Sequence, residues 1–274
     1  MVETNRKPHA KPCYIDAHLH LDHYETAKQQ PLLEEAFRED VAAVVAVSMH
    51  LESSRIVREW AMRMPERVMP AYGFHPEQPL PTDEELDELF VWMRSRHEVG
   101  ERFAVGEVGL PYYMRTEAET SGAAFDESGY LALLDRFIRF AAETDRPIVL
   151  HAVYEDADKA LDLLEKHGVT RAHFHWFKGA AATLKRMIAL GCMVSITPDV
   201  FYETEIRSLV RDYPLALLMT ETDGPWPFEG PFAGRPTTPG MVRDVANQIA
   251  SIKGIRVDEA AEALYRNAVR FYSL

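Results

Sequence analysis

Cysteine is almost missing from this chain, with Cys13 and Cys192 the only two in 274 residues. Two thiols cannot build a disulfide framework, and each lies in an apolar stretch, so both are expected as reduced core residues of a cytoplasmic protein. Positive charge is scarce too: 30 Lys and Arg stand against 43 Asp and Glu, a formal net charge of −13. Proteins that grip long duplexes draw most of their affinity from neutralising phosphates and carry a basic face for it. The balance here argues against tight, nonspecific duplex binding. It leaves a phosphate-bearing substrate open, because bound metal ions reverse the local sign. No apolar run approaches the roughly 20 residues of a membrane span, so no membrane partner is expected, and no feature calls for an obligate protein partner. Internal repeats and low-complexity tracts are lacking. Residues 1–12 are polar and basic (Arg6, Lys7, Lys11), without the apolar centre of a signal peptide. They read as a flexible arm ahead of a single domain over 13–274.

What the chain does have is a regular alternation of short apolar runs and helix-spaced stretches. Eight candidate strands are Tyr14–His18, Val41–Val47, Val68–Tyr72, Phe103–Glu107, Ile148–His151, Arg171–His175, Met193–Ile196 and Leu217–Glu221. The intervening helices are read at Ser53–Met64, Asp83–His97, Gly129–Thr144, Glu155–His167, Ala181–Leu190 and Thr204–Tyr213, with a shorter one at Pro31–Asp40 and two closing helices at Met241–Ile252 and Val257–Phe271. Thr82-Asp83-Glu84-Glu85 has the form of a capping box, and Gly168 and Gly191 follow their helices as stop signals. Runs such as Val41-Ala42-Ala43-Val44-Val45-Ala46-Val47 are apolar throughout, as parallel strands covered on both faces should be. Strand–helix alternation predicts a parallel sheet, and eight repeats favour a closed (β/α)₈ barrel of the TIM type over an open doubly wound sheet. Two irregular stretches, Arg115–Ser128 and the proline-rich Pro225–Pro239, would then overhang the C-terminal mouth, where barrel active sites lie.

Potential metal ligands gather at the ends of those strands. His18 and His20 close the first run, and in an extended strand residues i and i+2 point to one side. An isolated His-x-His is equally compatible with two solvated histidines. The others decide it: His75 follows the third strand, Glu107 ends the fourth, His151 the fifth, His173 and His175 lie on the sixth, and Asp223 follows the eighth. Imidazoles with one glutamate and one aspartate suit two divalent ions, one carboxylate bridging them. Mixed nitrogen and oxygen donors fit Zn²⁺, Mn²⁺, Fe²⁺ or Ni²⁺, while Mg²⁺ prefers more oxygen and water.

In these motifs the chain resembles the TatD family of metal-dependent hydrolases, within the amidohydrolase-like barrels. The resemblance runs from Asp16-Ala17-His18-Leu19-His20-Leu21-Asp22 through Gly73-Phe74-His75-Pro76, Gly106-Glu107-Val108-Gly109-Leu110, Pro147-Ile148-Val149-Leu150-His151 and His175-Trp176-Phe177-Lys178-Gly179. It ends with Glu221-Thr222-Asp223-Gly224-Pro225 and Asn267-Ala268-Val269-Arg270-Phe271. It implies that His18, His20 and Asp223 hold one divalent ion, that His151 and His175 hold the second, and that Glu107 bridges them. His75 would approach the substrate. Asp223 would take a proton from the attacking water, and with Glu107 it makes up the expected catalytic pair. Asp16 and Asp22 are candidate acceptors for the far nitrogens of the histidine ligands. His173 has no family counterpart and reads as a histidine hydrogen-bonded inside the barrel. His9, His23, His50, His97 and His167 read as solvated or capping residues. Tyr112-Tyr113 and Trp176-Phe177 either stack bases at the mouth or pack behind it, with packing favoured.

Three positions depart from the family pattern, and none is an implied ligand. Pro111 stands where an aspartate is usual, Ala152-Val153 replaces a small residue and an arginine, and Thr237-Thr238-Pro239 replaces Asn-Glu-Pro. The missing arginine removes a phosphate clamp, for which Lys178 and Arg235 are the available substitutes. The resemblance implies a phosphodiesterase or deoxyribonuclease acting on single-stranded nucleic-acid ends. The alternative is an amidohydrolase-type enzyme opening a C–N or ester bond of a small molecule. A non-catalytic metal-binding scaffold is the third reading, disfavoured because all six ligand positions are intact.

Overall fold

A computed structural model describes residues 13–274; the expected arm over 1–12 lies outside the described residues. Eight strands line up in chain order, every neighbouring pair parallel: β1 Tyr14–Leu19, β2 Val41–Ala46, β3 Val68–Tyr72, β4 Ala104–Gly109, β5 Ile148–His151, β6 Ala172–Phe174, β7 Met193–Ile196 and β8 Leu218–Thr220. The ring is completed where β8 returns to β1. There Asp223 N donates to His18 O at 3.0 Å, His20 N donates to Gly224 O at 2.9 Å, and Leu19 bridges Gly224. This is the expected TIM-type barrel.

Helices cover the outside: α1 Thr26–Arg38, α2 Leu51–Arg63, α3 Asp83–Glu98, α4 Tyr112–Thr120, α5 Ser128–Thr144, α6 Glu155–His167, α7 Ala181–Ala189, α8 Thr204–Asp212, α9 Val242–Lys253 and α10 Val257–Tyr272. The capping box at Thr82 is formed in full, and Gly168 ends α6 in the left-handed conformation. Helix α1 begins earlier than expected and carries Pro31 inside it. The stretch after Arg115, expected to be irregular, is helical through Thr120.

Outward-facing strand residues such as Val44, Val105, Leu150 and Phe174 pack with the helices in one large apolar cluster. Alternate residues (Ile15, Ala43, Val45, Met69, Val149, Met193 and Met219) form a second cluster, to which α10 adds Phe271 and Tyr272. Alanine, valine, isoleucine and methionine side chains fill the barrel below its mouth, leaving the polar residues to gather above them. Cys192 is buried as expected, whereas Cys13 is exposed, because it precedes β1 rather than belonging to it.

Candidate metal centre

Every expected ligand sits in the C-terminal half of a strand or in the residues just beyond it, and the structure brings all six together. Two close backbone approaches make this possible. A Cβ on Gly109 would lie 1.8 Å from the His151 carbonyl, and one on Gly73 would lie 2.7 Å from the Glu107 carbonyl. Only glycine lets β3, β4 and β5 press together around the Glu107 side chain. Trp176 and Asp223 hold left-handed backbone conformations (φ 39° and 48°) immediately after His175 and at the end of the eighth-strand motif, as residues of over-determined functional sites often do.

Glu107, fully buried, is the hub. Its Oε2 lies 3.1 Å from His18 Nε2 and 3.2 Å from His20 Nε2, and both nitrogens are 3.4 Å from Asp223 Oδ1. Its Oε1 faces the other way, 2.7 Å from His175 Nε2, 3.1 Å from His151 Nδ1 and 3.3 Å from His75 Nε2. One carboxylate thus serves two lobes of donors.

Charge is arranged accordingly. Burial opposes ionisation of Glu107, but His175, His75 and His18 outweigh it and hold the carboxyl well below the usual carboxylate range. Asp223 is lowered as well: burial acts against it, and the His20 imidazole 3.4 Å away prevails. Burial likewise resists charge on His20 and His151. The carboxylates beside them nevertheless prevail: Asp223 and Glu107 lift His20 to about 10, and Glu107 and Glu77 lift His151 to about 9. His18 goes the opposite way, down to about 4, through burial and the neighbouring His175. Without a cation, each lobe therefore compensates its carboxylate with one protonated imidazole.

The donor set fits divalent metal. Glu107 Oε2, Asp223 Oδ1 and both ring nitrogens of His18 are buried and lack a hydrogen-bond partner among the described residues, although acceptor and donor atoms crowd within a few ångströms. Buried polar atoms are rarely left so, and lone pairs aimed at a common point are what a cation needs. His18, His20 and Asp223 form one candidate ligand group, and Glu107, His151 and His175 another.

Some features were not legible in the sequence. Glu77 accepts hydrogen bonds from Tyr113 N and Met114 N at 2.8 Å and lies 3.4 Å from His151 Nε2, so it faces the side of that ring turned away from Glu107. Glu221 accepts from Trp176 N at 2.7 Å and from Ser195 Oγ at 2.6 Å, and stands 3.9 Å from His175 Nδ1. Burial and the nearby Asp223 push its carboxyl well above the ordinary value. Behind it, Ser195 Oγ meets His173 Nε2 at 2.5 Å and His173 Nδ1 meets the Tyr272 hydroxyl at 2.6 Å. His173 is thus the hydrogen-bonded core histidine that was expected.

Asp16 is engaged by Thr222, whereas Asp22 lies within 4.8 Å of ring nitrogens of His20 and His23. Asp16 binds Thr222 through both its N and Oγ1, and Asp22 accepts from Ser53 Oγ at 2.7 Å. Thr222 donors occupy both oxygens of Asp16, while Asp22 Oδ1 is buried without a hydrogen-bond partner. His50 caps α2 through Nδ1, His97 and His167 pair with Arg146 and Asp135, His23 stacks on His20, and His9 lies outside the described residues. At the departures, Ala152 and Val153 are buried and apolar, and Lys178 Nζ lies 4.0 Å from the buried Asp199.

Comparison with known proteins agrees with this geometry. Residues 15–273 match the family described as TatD related DNase. A metal-dependent hydrolase of Haemophilus influenzae is 34% identical over 260 residues, covering 95% of this chain and 99% of its own length. The human deoxyribonuclease TATDN3 is 27% identical over 264 residues, covering 94% of each. Among solved structures, YJJV, a TatD homologue of Escherichia coli K12, superposes with a TM-score of 0.80 at 25% identity, over 95% of this chain and 98% of that one. The chain belongs to the TatD family of metal-dependent hydrolases.

Proposed function

We propose that the protein hydrolyses phosphodiester bonds at the ends of single-stranded nucleic acid, with two divalent ions in the centre described above. The observation that carries the two-ion reading is the division of Glu107, one oxygen toward His18 and His20 and the other toward His151 and His175. His18, His20 and Asp223 would hold one ion, His151 and His175 the other, and Glu107 would serve both. Two such ions, when bound, would supply Lewis acidity, lowering the proton affinity of a water and stabilising charge on the phosphoryl oxygen.

The protein's own residues do the rest. Asp223, whose carboxyl is kept ionised, accepts the proton released by the attacking water. His75 is buried at the wall of the mouth, its Nδ1 accepting from Glu77 N at 3.1 Å, so its ring is fixed with Nε2 toward the reacting centre, where it contacts the ester. The deoxyribonuclease name of the human relative supports the substrate class.

A second reading, hydrolysis of a C–N or ester bond in a small molecule, draws support from the apolar Ala152-Val153 at the clamp position and from the pairing of Lys178 with Asp199. End-labelled single strands incubated with Mg²⁺ or Mn²⁺ separate the two. Laddering from one end that vanishes in His18→Ala is the expected result, and intact strands in the presence of fully metallated protein would refute the nuclease reading. Metal analysis should give two ions per chain, reduced in Glu107→Ala.

A further inference from the structure

The mouth carries two solvent-facing rings that the metal chemistry does not use. Tyr113 is 50% exposed and Trp226 is 56% exposed, and among the described residues no other Phe, Tyr or Trp side chain is exposed. Single exposed apolar residues are ordinary on a protein surface; these two are set apart by where they stand. Tyr113 begins the helix after β4, and Trp226 follows β8. In an eight-stranded ring with neighbours in chain order, the fourth and eighth strands are diametrically opposed. The two segments start from opposite strands, and their rings lean toward His151 at the end of β5 and toward Trp176 just beyond β6.

Both rings stand on fixed backbone. Tyr113 N is held by Glu77, and the Tyr113 ring lies 6.1 Å from that of His151. Trp226 N donates to Asp223 O at 3.0 Å and Trp226 O accepts from Thr237 Oγ1, while its ring stands edge-on to Trp176 at 5.8 Å. A ring whose backbone is already ordered loses little freedom when a flat partner stacks on it. Two cations near the mouth are engaged, while Arg235, on the loop after β8, is exposed and lies over the Phe232 ring. Lys178 faces Asp199 and lies over the Trp176 ring, and Arg115 is shared among Glu119, Glu127, Glu155 and Asp156. A phosphate-gripping mouth would keep such groups free.

We propose that Tyr113 and Trp226 are stacking platforms for the bases flanking the scissile phosphodiester, so that this enzyme holds a strand end by its bases rather than by its phosphates. The proposal rests on the nuclease reading for the identity of the ligand. Base–aromatic stacking tolerates any sequence, because every base presents a flat π face, and it suits a chain of net charge −13.

Two measurements test it. In the first, indole fluorescence is titrated with a mononucleotide, with ribose 5-phosphate and with benzyl phosphate. The expected result is quenching by the nucleotide alone, lost in Trp226→Ala and retained in Trp226→Phe after allowance for the missing indole, measured there by calorimetry. Equal binding of nucleotide and ribose phosphate would overturn stacking, and equal binding of nucleotide and benzyl phosphate would overturn the nucleobase assignment.

In the second, KM is compared for strands ending in ordinary nucleotides and in abasic residues with the same phosphodiesters. Wild type should prefer the base-bearing end by about five- to a hundredfold, the range of one stacked base. Tyr113→Ala and Trp226→Ala should each shrink that preference. Cleavage of both strands with equal KM in wild type and variants would sink the platforms while leaving the nuclease standing. If wild type cleaves neither strand, the nuclease reading falls and the titration alone decides whether the rings bind bases.

Discussion

His173 and His175 lie two residues apart at the end of one strand, both deeply buried, yet their surroundings are opposite. His173 has a partner on each ring nitrogen, Tyr272 on one and Ser195 on the other. His175 has Nε2 2.7 Å from Glu107, while its Nδ1 lacks a hydrogen-bond partner. The first strand repeats the contrast. Asp16 is engaged by Thr222, whereas two residues later both ring nitrogens of His18 are orphaned. Burial alone does not distinguish a structural polar residue from a functional one. Satisfaction does: a completed hydrogen-bond set holds the fold, and a buried set of unclaimed lone pairs awaits a ligand.

The sharpest way to break that contrast is to remove each histidine in turn. His175→Ala should lose bound metal and cut hydrolysis by at least about a hundredfold, since Lewis-acid stabilisation is worth several kcal/mol. Its melting temperature without metal should change little. His173→Ala should instead keep its metal and lose about 2–4 kcal/mol of stability, through the cavity and the stranded Ser195 and Tyr272 hydroxyls. Metal analysis and denaturant unfolding of both variants check the pair, and matching losses in the two would erase the distinction.

Acidity gives the next largest effect. His20 and His151 are raised to about 10 and about 9, so at neutral pH the metal-free centre carries two protons that a cation must displace, and His18, lowered to about 4, contributes none. The sign follows: metal binding releases protons, and affinity falls as pH falls below about 9, roughly tenfold per displaced proton per pH unit. Calorimetry in buffers of different ionisation enthalpy counts the protons, and a count of zero at pH 7 would contradict this assignment.

Glu77→Gln should weaken metal binding by about tenfold through the loosened His151 ring, with a smaller effect on the fold. Smallest of all, Lys178→Ala should change the KM for strand ends by no more than about threefold, because its charge is already committed to Asp199; steady-state kinetics on labelled strands reads both.

Much of this was legible in the sequence because strand ends are where a parallel barrel displays chemistry. The strands at Val68–Tyr72, Ile148–His151 and Met193–Ile196 and the helix Glu155–His167 occur as read. So does the grouping of His18, His20, Glu107, His151, His175 and Asp223 at one mouth. The differences share one cause, partners distant in sequence. Helix α4 exists because Glu77, from the loop after β3, takes up the N–H groups of Tyr113 and Met114, which no local pattern around Arg115 discloses. Pro31 reads as a helix boundary by its missing N–H, yet α1 passes through it with Leu33 and Ala36 buried against the barrel. Glu221 stood in the eighth-strand motif, but its link through Ser195 to His173 joins three strands and is visible only once they are side by side.

The joining of β1 to β8 carries a consequence for how the protein comes to be made. Asp223 meets His18 and His20 only after some 200 residues have been synthesised between them, and α10 must follow before Tyr272 can reach His173. A partly translated chain that stops short of β8 carries five of the six donors but lacks Asp223, so the group of His18, His20 and Asp223 is completed only when the last strand is in place.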